Sequence, residues 1–277
     1  MRMQVGSVDR SLRRAGSVMI EGWSGASAVA KMLRGQRRER LVSGRNGEVL
    51  RGHLLQPPVM LVHGLGADRS CFSVMEECLH DAGYTVYSVS YSCVGVDIHA
   101  CARNLEREAA WLIEETGSES LSVVAHSLGG VVLRWASMHT RMRDWLTLGV
   151  TLGSPHLGTP TAHLAPARLP GFGRIVSQLR PGAHLTAGFD DQRGVRWVAI
   201  AGASDVVVPP KYAGLPRARN VRNVLVPGCG HLTLTHNRQC LDIILEELEA
   251  AGGMAPTMYA TGEPATRVFS QPRSQCA

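Results

Sequence analysis

The run Leu121 to Val132, Leu-Ser-Val-Val-Ala-His-Ser-Leu-Gly-Gly-Val-Val, constrains the fold more than any other part of this chain. Leu121 to Ala125 is short, apolar and rich in β-branched valine, which suits a strand buried on both faces. From Leu128 the apolar positions Val131, Val132, Trp135 and Met138 recur at three- and four-residue spacing, as on one face of a helix. The chain must therefore turn sharply at Ser127, and small residues at Ala125, Gly129 and Gly130 let strand and helix approach there. Such a strand–turn–helix with a central serine is the context of a nucleophile elbow, whose usual pattern is G-x-S-x-G. Here Ala125 stands in place of the first glycine, adding one methyl group. The competing reading is that Ser127 only caps the following helix, a position serine favours.

The flanking sequence repeats the same alternation. Strands are expected at Val59–Val62, Tyr84–Tyr91, Leu146–Leu152, Val195–Ala201 and Asn220–Val226, all apolar or β-rich. Helices are expected from Ser70 to Asp81, from an Asp97 N-cap to Thr116 with Gly117 as terminator, and from Leu232 to Ala250. In the last of these, Leu241, Ile244 and Leu248 form the inner stripe, and Glu246, Glu247 and Glu249 face solvent. Strands alternating with helices predict an α/β fold with a mostly parallel central sheet and helices on both faces. The working residues of such a sheet lie at the carboxyl ends of its strands.

Residues 53–251 hold this pattern, and the ends differ from it. Residues 1–51 carry eleven Arg and Lys against four Asp and Glu, so the net charge of +6 belongs to this arm. Its run Lys31 to Arg40 has the composition for weak contact with an anionic membrane surface, and nucleic-acid binding is not expected of the chain. Residues 1–17 lack periodicity, residues 18–41 have a modest helical stripe, and Asn46-Gly47 suits a turn between short edge strands. Residues 252–277 read as a flexible tail. No apolar run reaches the ~18 residues of a membrane span, and the first thirty residues lack the apolar core of a secretory signal. Seven cysteines without a C-x-x-C pair suit reduced thiols, so a cytoplasmic location is expected.

A serine nucleophile needs a base, an acid that orients the base, and donors for the oxyanion. His231, in Gly228-Cys229-Gly230-His231-Leu232 between the last strand and the last helix, is the expected base. His236 is its nearest competitor and is expected to pack. Asp205 follows the strand Val195–Ala201 and is the expected acid, since Asp190 and Asp191 lie before that strand. The order Ser, Asp, His along the chain agrees with this assignment. The backbone N–H groups of Leu128 and of Leu65, in His63-Gly64-Leu65-Gly66, are the expected oxyanion donors. The His63 side chain is expected to hold its turn, and His156 to pack or hydrogen-bond.

With these residues in hand, the chain resembles the α/β-hydrolase superfamily, and within it the bacterial triacylglycerol lipases and esterases. The resemblance rests on His63–Gly66, Ala125–Gly130, Gly153–Thr159, Gly202–Pro209 and Gly228–Leu232, and spans roughly residues 55–250. The Ala-His-Ser-Leu-Gly-Gly elbow is similar to that of small bacillus-type lipases. The resemblance implies a Ser127–Asp205–His231 triad, no organic cofactor, and a lipid or small ester as substrate. No carboxylate cluster specifies a metal. Residues 157–194, rich in proline and in apolar side chains such as Leu164, Phe172, Ile175, Val176 and Leu179, are expected to form a lid that supplies an acyl-binding surface. Two other functions share these features: an acyltransferase, and a non-catalytic hydrolase-fold protein at the membrane periphery.

Overall fold

The computed structural model describes residues 49–52, 56–164, 171–183 and 194–252. The expectations for the arm before residue 49, for the tail after 252, and for 165–170 and 184–193 within the lid lie outside these residues. The elements are β1 (Val49–Leu50), β2 (Val59–Val62), α1 (Ser73–Asp81), β3 (Val86–Val89), α2 (Ile98–Thr116), β4 (Leu121–His126), α3 (Leu128–His139), α4 (Met142–Trp145) and β5 (Leu146–Leu152). They continue with α5 (Thr161–Leu164), α6 (Gly173–Gln178), β6 (Arg196–Gly202), α7 (Pro210–Ala213), β7 (Val221–Val226) and α8 (Arg238–Gly252).

Among the described residues the strands form one seven-stranded sheet in the order β1-β3-β2-β4-β5-β6-β7. Only β1 runs antiparallel, pairing with β3; every other neighbouring pair is parallel. Strand side chains alternate between two cores. Met60, Val62, Val123 and Ala125 face one core with α2 and α3, while Val59, Leu61 and Val124 face the other with α1 and α8. Because both faces are covered, β2 and β4 are buried along their whole length, which explains their unbroken apolar runs. No helix of the described residues is long and apolar enough to cross a membrane.

Local signals explain most element boundaries. The Asp97 carboxylate accepts the Ala100 N–H at 2.9 Å, and Gly117 ends α2 with φ +66°. The first expected helix begins as a 3-10 turn, Arg69–Phe72, capped by Asp68. The last differs more from expectation. Leu232–Thr235 is a separate 3-10 turn, and α8 starts only at Arg238, because the Asn237 side chain accepts the Cys240 N–H at 3.2 Å and sets a new helix start.

Glu247 also departs from expectation. It is 1% exposed, with its two oxygens 2.6 Å from Arg196 of β6 and 2.5 Å from Arg222 of β7. Periodicity assigned it to solvent, but two arginines at the start of neighbouring strands draw it into the core face.

The described part of the expected lid is anchored to the body. Ile98 N–H donates to Gln178 Oε1 at 3.0 Å, and Gly95 N–H to Gly171 O at 2.6 Å. Phe172, Ile175, Val176 and Leu179 join the main core instead of offering an open surface, whereas Leu164 is 83% exposed.

Candidate active site

Six parallel strands end at the same edge of the sheet, and the loops leaving β2, β4, β5, β6 and β7 meet there. Ser127 leaves β4 at this edge with φ +55° and ψ −124°, and it is the only non-glycine residue with positive φ among those described. Strain of this kind costs roughly 1–3 kcal/mol and persists only where the surroundings impose it. Here the imposing contacts are identifiable. Ser127 N–H donates to Leu152 O of β5 at 2.8 Å, and the turn into α3 runs against β2. A Cβ on Gly129 would lie 2.5 Å from the Val62 carbonyl oxygen, so only glycine permits that approach. The Ser127 side chain makes no capping hydrogen bond to α3, against the simple N-cap reading.

His231 Nε2 lies 3.0 Å from Ser127 Oγ, and His231 Nδ1 lies 2.7 Å from Asp205 Oδ2. Asp205 and His231 are each 4% exposed. The other Asp205 oxygen accepts the N–H groups of Val207 at 2.9 Å and Val208 at 2.7 Å, which fixes the carboxylate plane. With Nδ1–H donated to Asp205, Nε2 is left as the acceptor for the serine hydroxyl. The loops carrying acid and base touch directly, since Ser204 N–H donates to Cys229 O at 2.9 Å. The structure thus brings together the three residues that sequence reasoning selected.

Leu128 is the first residue of α3, where the N–H has no intrahelical partner. Leu65 sits in the loop after β2, and that loop abuts the elbow: a Cβ on Gly64 would come within 2.8 Å of Ser127 Cβ. The loop is held by Tyr91, whose hydroxyl donates to His63 O at 2.7 Å and whose ring stacks on that of His63 at 4.5 Å. His63 Nδ1 lies 3.0 Å from Gly64 O, and burial lowers its pKa. His156 is likewise buried, with Nε2 3.0 Å from Thr151 Oγ1, and its carbonyl accepts from Arg134 at 3.1 Å. His236, expected to pack, is exposed instead.

Two neighbours of the site were not selected from sequence. Gly153, after β5, has φ +54°, and a Cβ there would lie 3.0 Å from Asp205 Oδ2 and 3.1 Å from His231 Nδ1. The Gly-Ser-Pro turn ending a strand was the available signal. His126 has its Nε2 3.0 Å from the His231 carbonyl oxygen, and its ring lies 4.7 Å from that of His231. Nothing local in the sequence pairs positions so far apart. Among the described residues no group of three or more His, Cys, Asp or Glu could hold a metal ion, and no disulfide joins the described cysteines.

The mostly parallel sheet, with the strand–turn–helix of Ser127 at its carboxyl edge, is the α/β-hydrolase fold. Comparison with known proteins extends this. Residues 54–172 match the family described as "Putative serine esterase (DUF676)", a span that includes Leu65, Ser127 and Leu128 and stops before Asp205 and His231. The fold is shared with the mature form of a Bacillus licheniformis lipase: TM-score 0.64, 18% identity, covering 75% of this chain and 99% of that one. A monoacylglycerol lipase from Paleococcus ferrophilus superposes with TM-score 0.54 at 16% identity over 72% of this chain and 96% of its own. A Bacillus anthracis bromoperoxidase superposes with TM-score 0.57 at 17% identity, over 73% and 94% respectively, so the fold alone does not choose the reaction. The serine-esterase match over residues 54–172 favours ester hydrolysis, and the chain is a carboxylic ester hydrolase.

Proposed function

We propose that this chain cleaves esters of apolar carboxylic acids through an acyl-enzyme, with Ser127 as nucleophile, His231 as general base and acid, and Asp205 as the group that orients it. The observation that carries the proposal is the pair of distances at His231: 3.0 Å from Nε2 to Ser127 Oγ and 2.7 Å from Nδ1 to Asp205 Oδ2. Ser127 Oγ attacks the acyl carbon while its proton passes to His231 Nε2, and the Asp205 carboxylate stabilises the imidazolium. The N–H groups of Leu65 and Leu128 receive the oxyanion. The C–O bond to the alcohol then breaks, and the alcohol leaves with the proton held by His231. Water repeats the sequence on the acyl-enzyme, giving up its proton to His231, and Ser127 recovers its own as the acid departs.

The preference for an apolar acyl group follows from the surroundings. Val206 and Val207 follow Asp205, Leu232 follows His231, and all three are exposed. The Val207 carbonyl accepts the hydroxyls of Thr159 and Thr161 at 2.7 Å, which ties the segment after β5 to the loop that carries Asp205. An apolar cluster beside a polar triad suits a lipid-like or short aliphatic ester. The test is a chain-length series of p-nitrophenyl esters on the wild type and on Ser127→Ala. Turnover of the variant should fall on the order of 10⁴-fold. A folded Ser127→Ala protein with wild-type turnover would refute the assignment.

A further inference from the structure

The elbow carries a histidine immediately before its serine, and the mechanism above makes no use of it. His126 is the last residue of β4 and is 4% exposed. Its Nε2 lies 3.0 Å from the carbonyl oxygen of His231. A carbonyl has no hydrogen to give, so Nε2 carries the proton and donates it, and Nδ1 holds the lone pair. The ring sits beside the His231 imidazole, with centroids 4.7 Å apart and planes at 46°. Burial, and then repulsion by His231, bring the His126 pKa down to about 3. It therefore stays neutral while His231 takes up and releases a proton at its side.

The value of this bond depends on what else holds the base during the reaction. On acylation Ser127 Oγ forms a bond to the acyl carbon and loses the hydrogen it had donated to His231 Nε2. From then until the ester is cleaved, the nucleophile donates no hydrogen bond to His231 and can only accept one when His231 is protonated. Asp205 still holds the ring at Nδ1. The backbone of His231, however, follows Gly228 and Gly230, and Gly228 has φ +67°. That loop is tied before the base by Ser204 N–H to Cys229 O at 2.9 Å and by Gly230 N–H to Thr233 Oγ1 at 3.0 Å, while the carbonyl of His231 itself is met by His126. His126 spans from the nucleophile's own strand to that backbone, and its donor is untouched by the covalent step.

We infer that His126 is a positioning residue: its Nε2–H···O=C bond to His231 keeps the base registered on Ser127 through the acyl-enzyme stage. The second position of the elbow is then not a free one, but requires a donor at the reach of an imidazole Nε2. This inference rests on the triad mechanism proposed above. A shift of about 1 Å in a reacting group can cost on the order of 10²-fold in rate, which sets the scale expected here.

The experiment compares His126→Phe, of similar ring size without a donor, with His126→Gln, whose amide N–H reaches about as far as Nε2, and His126→Asn, whose amide falls short. Steady-state kcat and KM on p-nitrophenyl butyrate, pre-steady-state acylation and deacylation rates, and thermal unfolding are measured for each. His126→Phe should lower kcat roughly 10- to 100-fold, with deacylation slowed at least as much as acylation and KM therefore unchanged or lowered. His126→Gln should recover most of that loss, and His126→Asn should not. If His126→Phe fails to fold, the Gln and Asn pair decides, with Gln about tenfold the faster. Equal rates for Gln and Asn, or a folded Phe variant within twofold of wild type, overturn the inference. Wild-type protein that neither hydrolyses the ester nor reacts with a fluorophosphonate overturns the triad reading and this inference with it. Wild-type labelling with unaffected His126 variants removes this inference alone.

Discussion

Replacing Gly153 by alanine tests whether the Asp205–His231 pair works at its observed geometry. Gly153 has φ +54°, in the left-handed region where an L side chain costs about 1–2 kcal/mol. Its new Cβ would also meet Leu234 Cδ1 at 2.8 Å, Asp205 Oδ2 at 3.0 Å and His231 Nδ1 at 3.1 Å. These contacts are a few tenths of an ångström too close, and Leu234 is fully buried, so the acid and base must give way. Gly117 supplies the control. It ends α2 with φ +66°, and a Cβ there meets nothing within 4 Å. Both variants therefore carry a similar backbone penalty, visible as a lower urea midpoint, but only Gly153→Ala displaces the pair. Turnover of p-nitrophenyl butyrate should be unchanged in Gly117→Ala and fall on the order of 10- to 100-fold in Gly153→Ala. Gly153→Ala with wild-type kcat and a stability loss equal to that of the control would refute the reasoning, because the pair would then tolerate movement that catalysis should not.

Acid should destabilise the fold through its buried histidines. Folded His126 stays neutral down to about pH 3, whereas the unfolded chain binds its proton near the ordinary value of 6.5, so its stabilisation is full above 6.5 and is lost as pH falls. Between pH 7 and pH 5 this one residue should cost about 2 kcal/mol, and buried His63 and His156, whose pKa values are also lowered, add in the same direction. Urea midpoints that stay level over that interval would contradict this. Glu247→Gln should lower stability by about 2 kcal/mol and the melting temperature by roughly 4–8 °C, without altering kcat. That is less than for a fully enclosed pair, because Arg196 and Arg222 keep 30% and 48% of their side chains exposed. Deleting residues 1–45 should weaken sedimentation with anionic vesicles and leave ester hydrolysis intact; unchanged sedimentation would separate the basic arm from membranes.

Local chemistry made the centre of the molecule readable. The valine-rich run into Ala125, the serine turn and the glycines after it express one short-range requirement, a tight strand-to-helix reversal. Asp97 and Gly117 mark the ends of α2 for equally local reasons. Asp205 and His231 stand out through chain order and their place after strands, and the fold brings their side chains to 2.7 Å. What could not be read depends on distant partners. Glu247 sits on the solvent side of its own periodicity until Arg196 and Arg222 are brought beside it by β6 and β7. The break before α8 turns on one asparagine outcompeting a continuous helix. Phe172, Ile175, Val176 and Leu179 carry no periodicity that distinguishes a lid from core, and only the docking of α6 against the start of α2 decides. His126 and His231 meet because β4 and the loop after β7 share one edge of the sheet.

The most direct test of the central claim is the site of covalent modification. Incubation with a fluorophosphonate, followed by digestion and peptide mass mapping, should place a single adduct on Ser127, with labelling abolished in Ser127→Ala and slowed in His231→Ala. An adduct on another residue, or labelling that survives the loss of Ser127, would contradict the account.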